Sequence, residues 1–312
     1  MRRFALLAAS AFLASTSVAL AASPSFTTID NPGDPTFNQL LAISNAGLIA
    51  GYFGSGAPGH PNQAYTIKPP YTSFTPFVVQ GSEQTQLTAL NGSTYVGFWS
   101  GTNFGPNNGA PQDANYGFIR TILPSGKQQT ILVNDLSANA PAIANVLGIN
   151  ASLNAVGFYL DAYGNSHGFV YNVTTGVYTS VTIPGATQVT ATGINASNLI
   201  SGFYADNKGV THAFLKPLSG GSPIEFTVPG AQVTQFFGVN DNGEAVGSYQ
   251  VTPSDITHGL TYNPANAAWV TLDDPNGVGG TVINGLNDKG QAVGFYTDAA
   301  GNVDGMLINN AF

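Results

Sequence analysis

The chain repeats itself. The stretch "GINASLNAVGFYLDAYGNSHGF" from Gly148 returns as "GINASNLISGFYADNKGVTHAF" from Gly193, 45 residues later. Self-similarity at this period constrains the fold more than any local propensity, because a unit too small to bury its own apolar face must stack on its copies. Aligned on the glycine of a short G-[FY]-x-like motif, the sequence has six anchors: Gly51, Gly97, Gly157, Gly202, Gly247 and Gly294. Their spacings are 46, 60, 45, 45 and 47 residues, one period near 45 with a single insertion at 100–115 in the second unit.

Each unit reads as four short strands rich in β-branched and aromatic residues. In the fourth they are "QVTATGIN", "LISGFYA", "THAFLKP" and "IEFTVPG", separated by Asn, Asp, Gly and Pro. Turns such as "NDNGE" at Asn240 and the D-x-x-G turns at Asp161, Asp206 and Asp298 suit side chains that bond backbone two residues on and glycines at positive φ. These acids read as hairpin formers before metal ligands. Six four-stranded units of this length predict an all-β fold, a six-bladed β-propeller with four-stranded blades.

The ends complete the count. After Gly294 only 18 residues remain, enough for a third strand but no fourth, while "FTTIDNPG" from Phe26 resembles "WVTLDDPNG" from Trp269, the outer strand of the fifth unit. The 18 residues and the 26 from Phe26 to Gly51 make one period, so the last blade is expected to be closed by the mature N-terminal strand. Such closure leaves no free terminal sheet edge.

Residues 1–22 carry two arginines, an apolar run and a small-residue end, the layout of a cleaved signal peptide of the general export route. Residues 23–312 then form a single domain, secreted or periplasmic, with no membrane anchor after cleavage. Without Arg2 and Arg3, 6 basic residues face 16 acidic ones, a net charge of −10 that disfavours nucleic acid and anionic membranes. Charged residues are 8% of the chain against about 25% in an average domain, so surface polarity comes from neutral amides and hydroxyls. There is no cysteine, hence neither disulfides nor thiolate metal sites. No cofactor is implied, and the chain is expected to act as a monomer.

The segments "THAFLK" at Thr211, "SHGFVY" at Ser166 and "THGLTY" at Thr257, each following "GFY" or "GSY", resemble the HAF-type extracellular repeats of exported bacterial proteins. The likeness spans nearly the whole mature chain. It implies a secreted propeller-like protein and carries no catalytic residues with it. Gln63, Tyr116 and Asp304 stand where the other units place His, which argues against any role needing a His in every blade.

Chemistry is expected on one face, called upper here, where the second-to-third-strand loops meet the loops that enter the next inner strand. The insertion falls there, as long loops on rigid scaffolds often do when they carry function. His167, His212 and His258 recur one per blade, too far apart on third strands to share one zinc ion. Inner-strand positions Gln39, Gln86, Asn145, Thr190, Gln235 and Val282 are expected near the upper mouth of the axial channel, and four of the six are amides, which both donate and accept. The second-strand aromatics Phe53, Trp99, Tyr159, Tyr204, Tyr249 and Tyr296 form a second ring; those reaching the rim would stack on sugar rings, with Trp99 beside the insertion the leading candidate.

Enzyme motifs are scarce. The inner-strand runs hold no Asp or Glu, and G-x-S-x-G, H-E-x-x-H and sialidase-type boxes are absent. No catalytic residue and no metal ligand is nominated. The reading is a non-catalytic binding module for carbohydrate or another neutral polymer or extracellular protein partner. The alternatives are a hydrolase or lyase using the upper-loop acids Asp34, Glu83, Asp113 and Asp135, and a surface protein-interaction scaffold.

Overall fold

The computed structural model describes residues 22–101, 115–133 and 143–312. The export segment up to residue 21, insertion residues 102–114 with Asp113, and 134–142 with Asp135 lie outside the described residues. The described residues form 24 strands and no helix. Each unit is an antiparallel meander opening on its inner strand: Asn38–Ile43, Gln84–Asn91, Ala144–Ile149, Gln188–Ile194, Val233–Val239 and Gly280–Leu286. Inner strands of successive units pack on one another, and that of the sixth packs on that of the first, so the meanders stand around an axis.

The ring closes through the N-terminal strand Ser25–Thr28, which pairs antiparallel with Val303–Asn309 and becomes the fourth strand of the sheet whose inner strand is Gly280–Leu286. Across this seam the Ile29 amide donates to Gly305 O at 2.9 Å, and Gly305 N donates to the Asp30 carboxylate at 2.8 Å. Phe26 packs on a core containing Ile283, Met306 and Ile308. Ile29 lies in the neighbouring core with Leu40, Tyr65, Val293 and Leu307, so the mostly exposed seam strand is tied to the cores on both sides.

The sheets divide differently from the sequence expectation of six separate ones: four have four strands, and units four and five share one sheet of eight. The cause is a parallel bridge, Thr211 to Val233, between the start of one unit's third strand and the start of the next unit's inner strand. The same bridge recurs at Phe37–Val303, Asn115–Ile143 and Thr257–Gly280, but there one partner, or in Asn115–Ile143 both, stops just short of its strand. Neighbouring units are thus stitched at the upper face by backbone bonds, such as Thr211 N to Gln232 O at 2.9 Å and Ala144 N to Asn115 O at 2.9 Å.

The anchor glycines have a common cause. Every inner strand carries a β-bulge two residues past the nominated polar position, between Leu40 and Ala42, Leu87 and Ala89, Val146 and Gly148, Ala191 and Gly193, Phe236 and Gly238, and Ile283 and Gly285. The strand just before the bulge leans its carbonyl onto the anchor glycine of the second strand. A Cβ on Gly247 would stand 1.8 Å from Gln235 O, one on Gly97 2.0 Å from Gln86 O, and one on Gly202 2.2 Å from Thr190 O. The G-F-Y repeat is therefore the imprint of a bulge, a device that bends a strand and raises its twist.

Candidate functional site

The axis holds a cavity of about 490 Å³, lined by the inner strands from the bulge onward and by the turns that follow. It therefore opens on the face opposite the upper loops, and none of the ten nominated residues lines it. Gln39, Gln86, Asn145, Thr190 and Gln235 stand on the upper side of the bulge, which lies between them and the axial cavity. The bulge residues alternate in character around the ring. Thr88, Thr192 and Asn284 donate to the next unit's carbonyls, Val146 O at 2.7 Å, Phe236 O at 2.8 Å and Leu40 O at 3.0 Å, whereas Leu41, Leu147 and Phe237 are apolar.

Below them Gly148, Gly193, Gly238 and Gly285, with Ala42 and Ala89, let the backbones close in; a Cβ on Gly148 would meet Gly193 Cα at 3.0 Å. Next come the asparagines of "GIN", "GVN" and "GLN". Asn150 Nδ2 donates to Asn195 O at 2.9 Å, Asn195 to Asn240 O at 2.9 Å, Asn240 to Asn287 O at 3.3 Å, and Asn287 to Ser44 O at 3.0 Å. Their Oδ1 atoms meanwhile accept from the backbone of their own turns, as Asn195 does from Leu199 N at 2.9 Å. One turn position further, Asp241 accepts from Ala196 N at 2.7 Å and Asp288 from Asp241 N at 2.8 Å. The polar groups around this cavity bond chiefly to one another, which makes it the structural hub of the ring.

The second-strand aromatics do not form a rim around the axis. Trp99, Tyr204 and Tyr296 are buried, at 3%, 6% and 5% exposure. Their rings, with those of Tyr159 and Tyr249, meet the cross-strand residue of the third strand: Tyr159 on His167, Tyr204 on His212 and Tyr249 on His258, with centroids 5.0 to 5.1 Å apart, and Trp99 on Tyr116 at 5.1 Å. Hydroxyls turn outward to the fourth strand, Tyr204 to Glu225 at 2.9 Å, Tyr249 to Thr271 at 2.9 Å and Tyr296 to Thr28 at 2.9 Å. The expected stacking of sugars on Trp99 is corrected, since the ring is packed inside a core with Ala50, Ala64 and Phe118.

All four histidines take an Asp partner: His60 with Asp34 at 2.6 Å, His167 with Asp161 at 2.9 Å, His212 with Asp206 at 3.4 Å and His258 with Asp273 at 2.8 Å. The D-x-x-G acids cap their turns, Asp161 accepting from Tyr163 N and Asn165 N at 2.8 and 2.9 Å. The His167 bond, with those backbone amides, holds the Asp161 carboxyl well below the usual range.

A second pocket, of about 260 Å³, does unite two nominated residues. It lies on the upper face between the first and second units, lined by Asn62, Gln84, Gln86, Phe98, Trp99, Ser100 and Asn115. Four of the seven are amides and none is charged. Asn62 organises the group: its Nδ2 donates to Gly54 O at 2.6 Å and its Oδ1 accepts from Gln86 Nε2 at 2.8 Å. Ser100 and Asn115 are the two ends of the insertion. Of the remaining nominated residues, Gln39 accepts from Tyr52 Oη at 2.8 Å, Thr190 donates to Ser166 Oγ at 3.3 Å, and Asn145 is buried with its Oδ1 unpartnered.

Solved structures show the same arrangement of sheets around an axis. It is a β-propeller. A protein described as a TolB from Agrobacterium tumefaciens matches with a TM-score of 0.55 at 10% identity, over 76% of this chain and 81% of its own. AofleA from Arthrobotrys oligospora matches at 0.50 and 11% identity, over 92% and 82%, and the Trypanosoma rangeli sialidase at 0.51 and 8%, over 93% and 60%. Identities this low carry the fold alone. No family model matches the chain, and no curated protein sequence does.

Sequence reasoning missed a group of acids beside the seam. Burial pushes Asp30 up to about 6, with the charge of Asp304 adding to it against the Gly305 amide. Burial likewise raises Asp274 and Asp304, the latter helped by Asp298. The signal was present in the repeat, because Asp304 stands at the His position and meets an acid where other units pair His with Asp. Of the nominated upper-loop acids, Asp34 is held low by Thr36 and His60, and Glu83 is an exposed loop residue. Among the described residues no three His, Asp or Glu side chains are placed to hold a metal ion.

Proposed function

We propose that the chain is an exported six-bladed β-propeller of the HAF-repeat type that binds, without catalysis, a neutral polyhydroxylated ligand such as a carbohydrate. The eight-stranded sheet then counts as two blades, divided where one parallel bridge replaces a ladder. The observation that carries the ligand reading is the upper-face pocket, where four amides and an indole line one space with no charged side chain. Amides offer donors and acceptors together and suit hydroxyl groups, while the acidic surface opposes nucleic acid. The site lies on the outer side of the bulge, at the mouth of the insertion.

The test is a glycan array followed by titration calorimetry with the mature chain and with Gln86→Ala. Binding of a neutral glycan that Gln86→Ala weakens supports the reading; a protein that binds no glycan, or a variant that binds as well as the parent, counts against it. A hydrolase reading draws on one observation, the protonatable Asp30 beside Asp304. Turnover of any glycoside that is lost in Asp30→Asn would favour it.

A further inference from the structure

One wall of the upper-face pocket comes from the loop 54–62, which joins Ile49–Phe53 to Gln63–Ile67 and ends in Asn62. Asn62 Oδ1 accepts from Gln86 Nε2 at 2.8 Å, and Asn62 N donates to Gln84 Oε1 at 3.4 Å, so the pocket's amides are arranged around this residue. The loop backbone also lies directly on them: a Cβ on Gly56 would stand 3.3 Å from Gln84 Oε1 and 3.5 Å from Asn62 Nδ2. Trp99, whose buried Nε1 has no partner among the described residues, lines the same space.

The loop has little of its own to hold this shape. Gly54, Gly56 and Gly59 sit at φ of +87°, +82° and +86°, and residues 55 and 57–60 are exposed. Glycines that reach such a path easily also leave it easily. The Ser55 hydroxyl bonds within the loop, accepting from Ala57 N at 3.4 Å, and Ala57, Pro58 and Gly59 carry no polar side chain. The side-chain tie between the tip and the rest of the ring is His60, whose Nδ1 donates to Asp34 Oδ2 at 2.6 Å.

Asp34 is a firm anchor. It is 5% exposed, and its other oxygen accepts from Thr36 N at 3.0 Å and Thr36 Oγ1 at 2.6 Å. It belongs to the segment that runs from the N-terminal strand into the first inner strand, and Val303 N, donating to Thr36 O at 3.0 Å, fixes that segment to the sixth unit. A buried carboxylate oxygen is costly to leave without a donor, so the contact persists although the imidazole is half-exposed. The other three histidines sit on third strands and pack on the tyrosine of their own unit's second strand, whereas His60 reaches from a loop to a neighbouring one.

Resting on the binding reading above, we infer that His60 is a positioning residue for the upper-face pocket: its bond to Asp34 pins the loop 54–62, so that Asn62 holds Gln84 and Gln86 in the arrangement that receives a neutral saccharide. The pocket is thereby completed by the seam segment through Asp34, as well as by the two units that line it.

Two measurements test this. In the ligand-free mature chain, ¹⁵N-edited spectra report the side-chain amides of Asn62 and Gln86; His60→Ala should move or broaden both and leave the hub amides of Asn195 and Asn240 in place. Calorimetry with neutral gluco-, manno-, galacto- and xylo-oligosaccharides reads the consequence. His60→Ala should weaken the series that the parent binds by about fivefold to tenfold, as for a site whose competent form falls to about a fifth to a tenth of the population. His60→Asn, whose Nδ2 stands where the imidazole Nδ1 does, should restore both the signals and the affinity. The inference is overturned if the Asn62 and Gln86 signals stay in place in His60→Ala, if they move at unchanged affinity, or if the Asn variant is as weak as the Ala one. A parent chain that binds none of the sugars fails the underlying reading instead, and the ligand-free spectra then still decide whether His60 holds the amides.

Discussion

Replacing Gly247 by Ala tests the bulge that every inner strand shares. The added Cβ would stand 1.8 Å from Gln235 O, 2.8 Å from the attached carbon and 2.9 Å from Phe236 Cα, all backbone atoms that no rotamer change can move. Reaching an ordinary contact requires more than about 1 Å of separation between two paired strands only about 4.8 Å apart. The ladder between Val233–Val239 and Ala245–Gln250 must splay, forfeiting two or three hydrogen bonds at about 1 kcal/mol each. Overpacking of a close-packed interior adds about 1–3 kcal/mol. The expected loss is therefore about 4 kcal/mol, or roughly 10 °C in melting temperature at about 2–4 °C per kcal/mol for a domain of this size. Gly209→Ala is the comparison: its φ is +82° and nothing lies within 4 Å of the new Cβ, so only the left-handed backbone is penalised, by about 1–2 kcal/mol. Urea and thermal denaturation of both variants decide the matter. Equal losses, or a Gly247→Ala protein within about 1 kcal/mol of the parent, would refute the reasoning that the anchors are steric and not conformational.

Two further outcomes follow from the hub and the seam. Asn195→Ala removes the buried donor to Asn240 O and the half-buried acceptor for Leu199 N, and should lower unfolding free energy by about 2 kcal/mol in chemical denaturation; a change below about 0.5 kcal/mol would deny the asparagine chain any share in closing the ring. Asp30→Asn keeps an acceptor for Gly305 N and deletes a charge. Because the folded carboxyl titrates near 6 and the unfolded one at 3.8, the folded state binds the extra proton between these values and wild-type stability falls as pH rises through them. The variant should melt higher than the parent at pH 8 and equally at pH 3, and the reverse pattern would contradict a buried, disfavoured carboxylate.

Much of the fold was legible because a 45-residue period admits few architectures, and the arithmetic of the termini places the closing strand at Phe26, where it pairs in the structure. The D-x-x-G acids also behaved as local chemistry dictates. What escaped was geometry that depends on adjacent units. A bulge leaves no composition signal of its own; it shows as the anchor glycine on the opposite strand, whose meaning emerges only when the Gln235 carbonyl is seen against Gly247. That a bulge separates Gln39 and its equivalents from the axial cavity is not visible in a strand pattern read as regular. That Trp99 offers no face for stacking is also hidden in the sequence, because alternation alone does not reveal that a cross-strand Tyr covers its ring. The "G-[IVL]-N" run was a usable signal for the hub, since a small residue before an asparagine at every turn invites close approach and an inter-unit bond. Joining of units four and five by Thr211 and Val233 rests on one residue's reach, below what a repeat alignment registers.

The most direct test of the binding account is a ¹⁵N-edited NMR titration of the indole N–H signals. The chain has two tryptophans, Trp99 in the pocket and Trp269 at an outer edge, 37% exposed, so two cross-peaks report on two places. Addition of a neutral oligosaccharide that binds in calorimetry should move the Trp99 signal downfield as its buried donor gains an oxygen, and leave Trp269 in place. A bound state in which the Trp99 signal stays still while Trp269 or neither responds would contradict it.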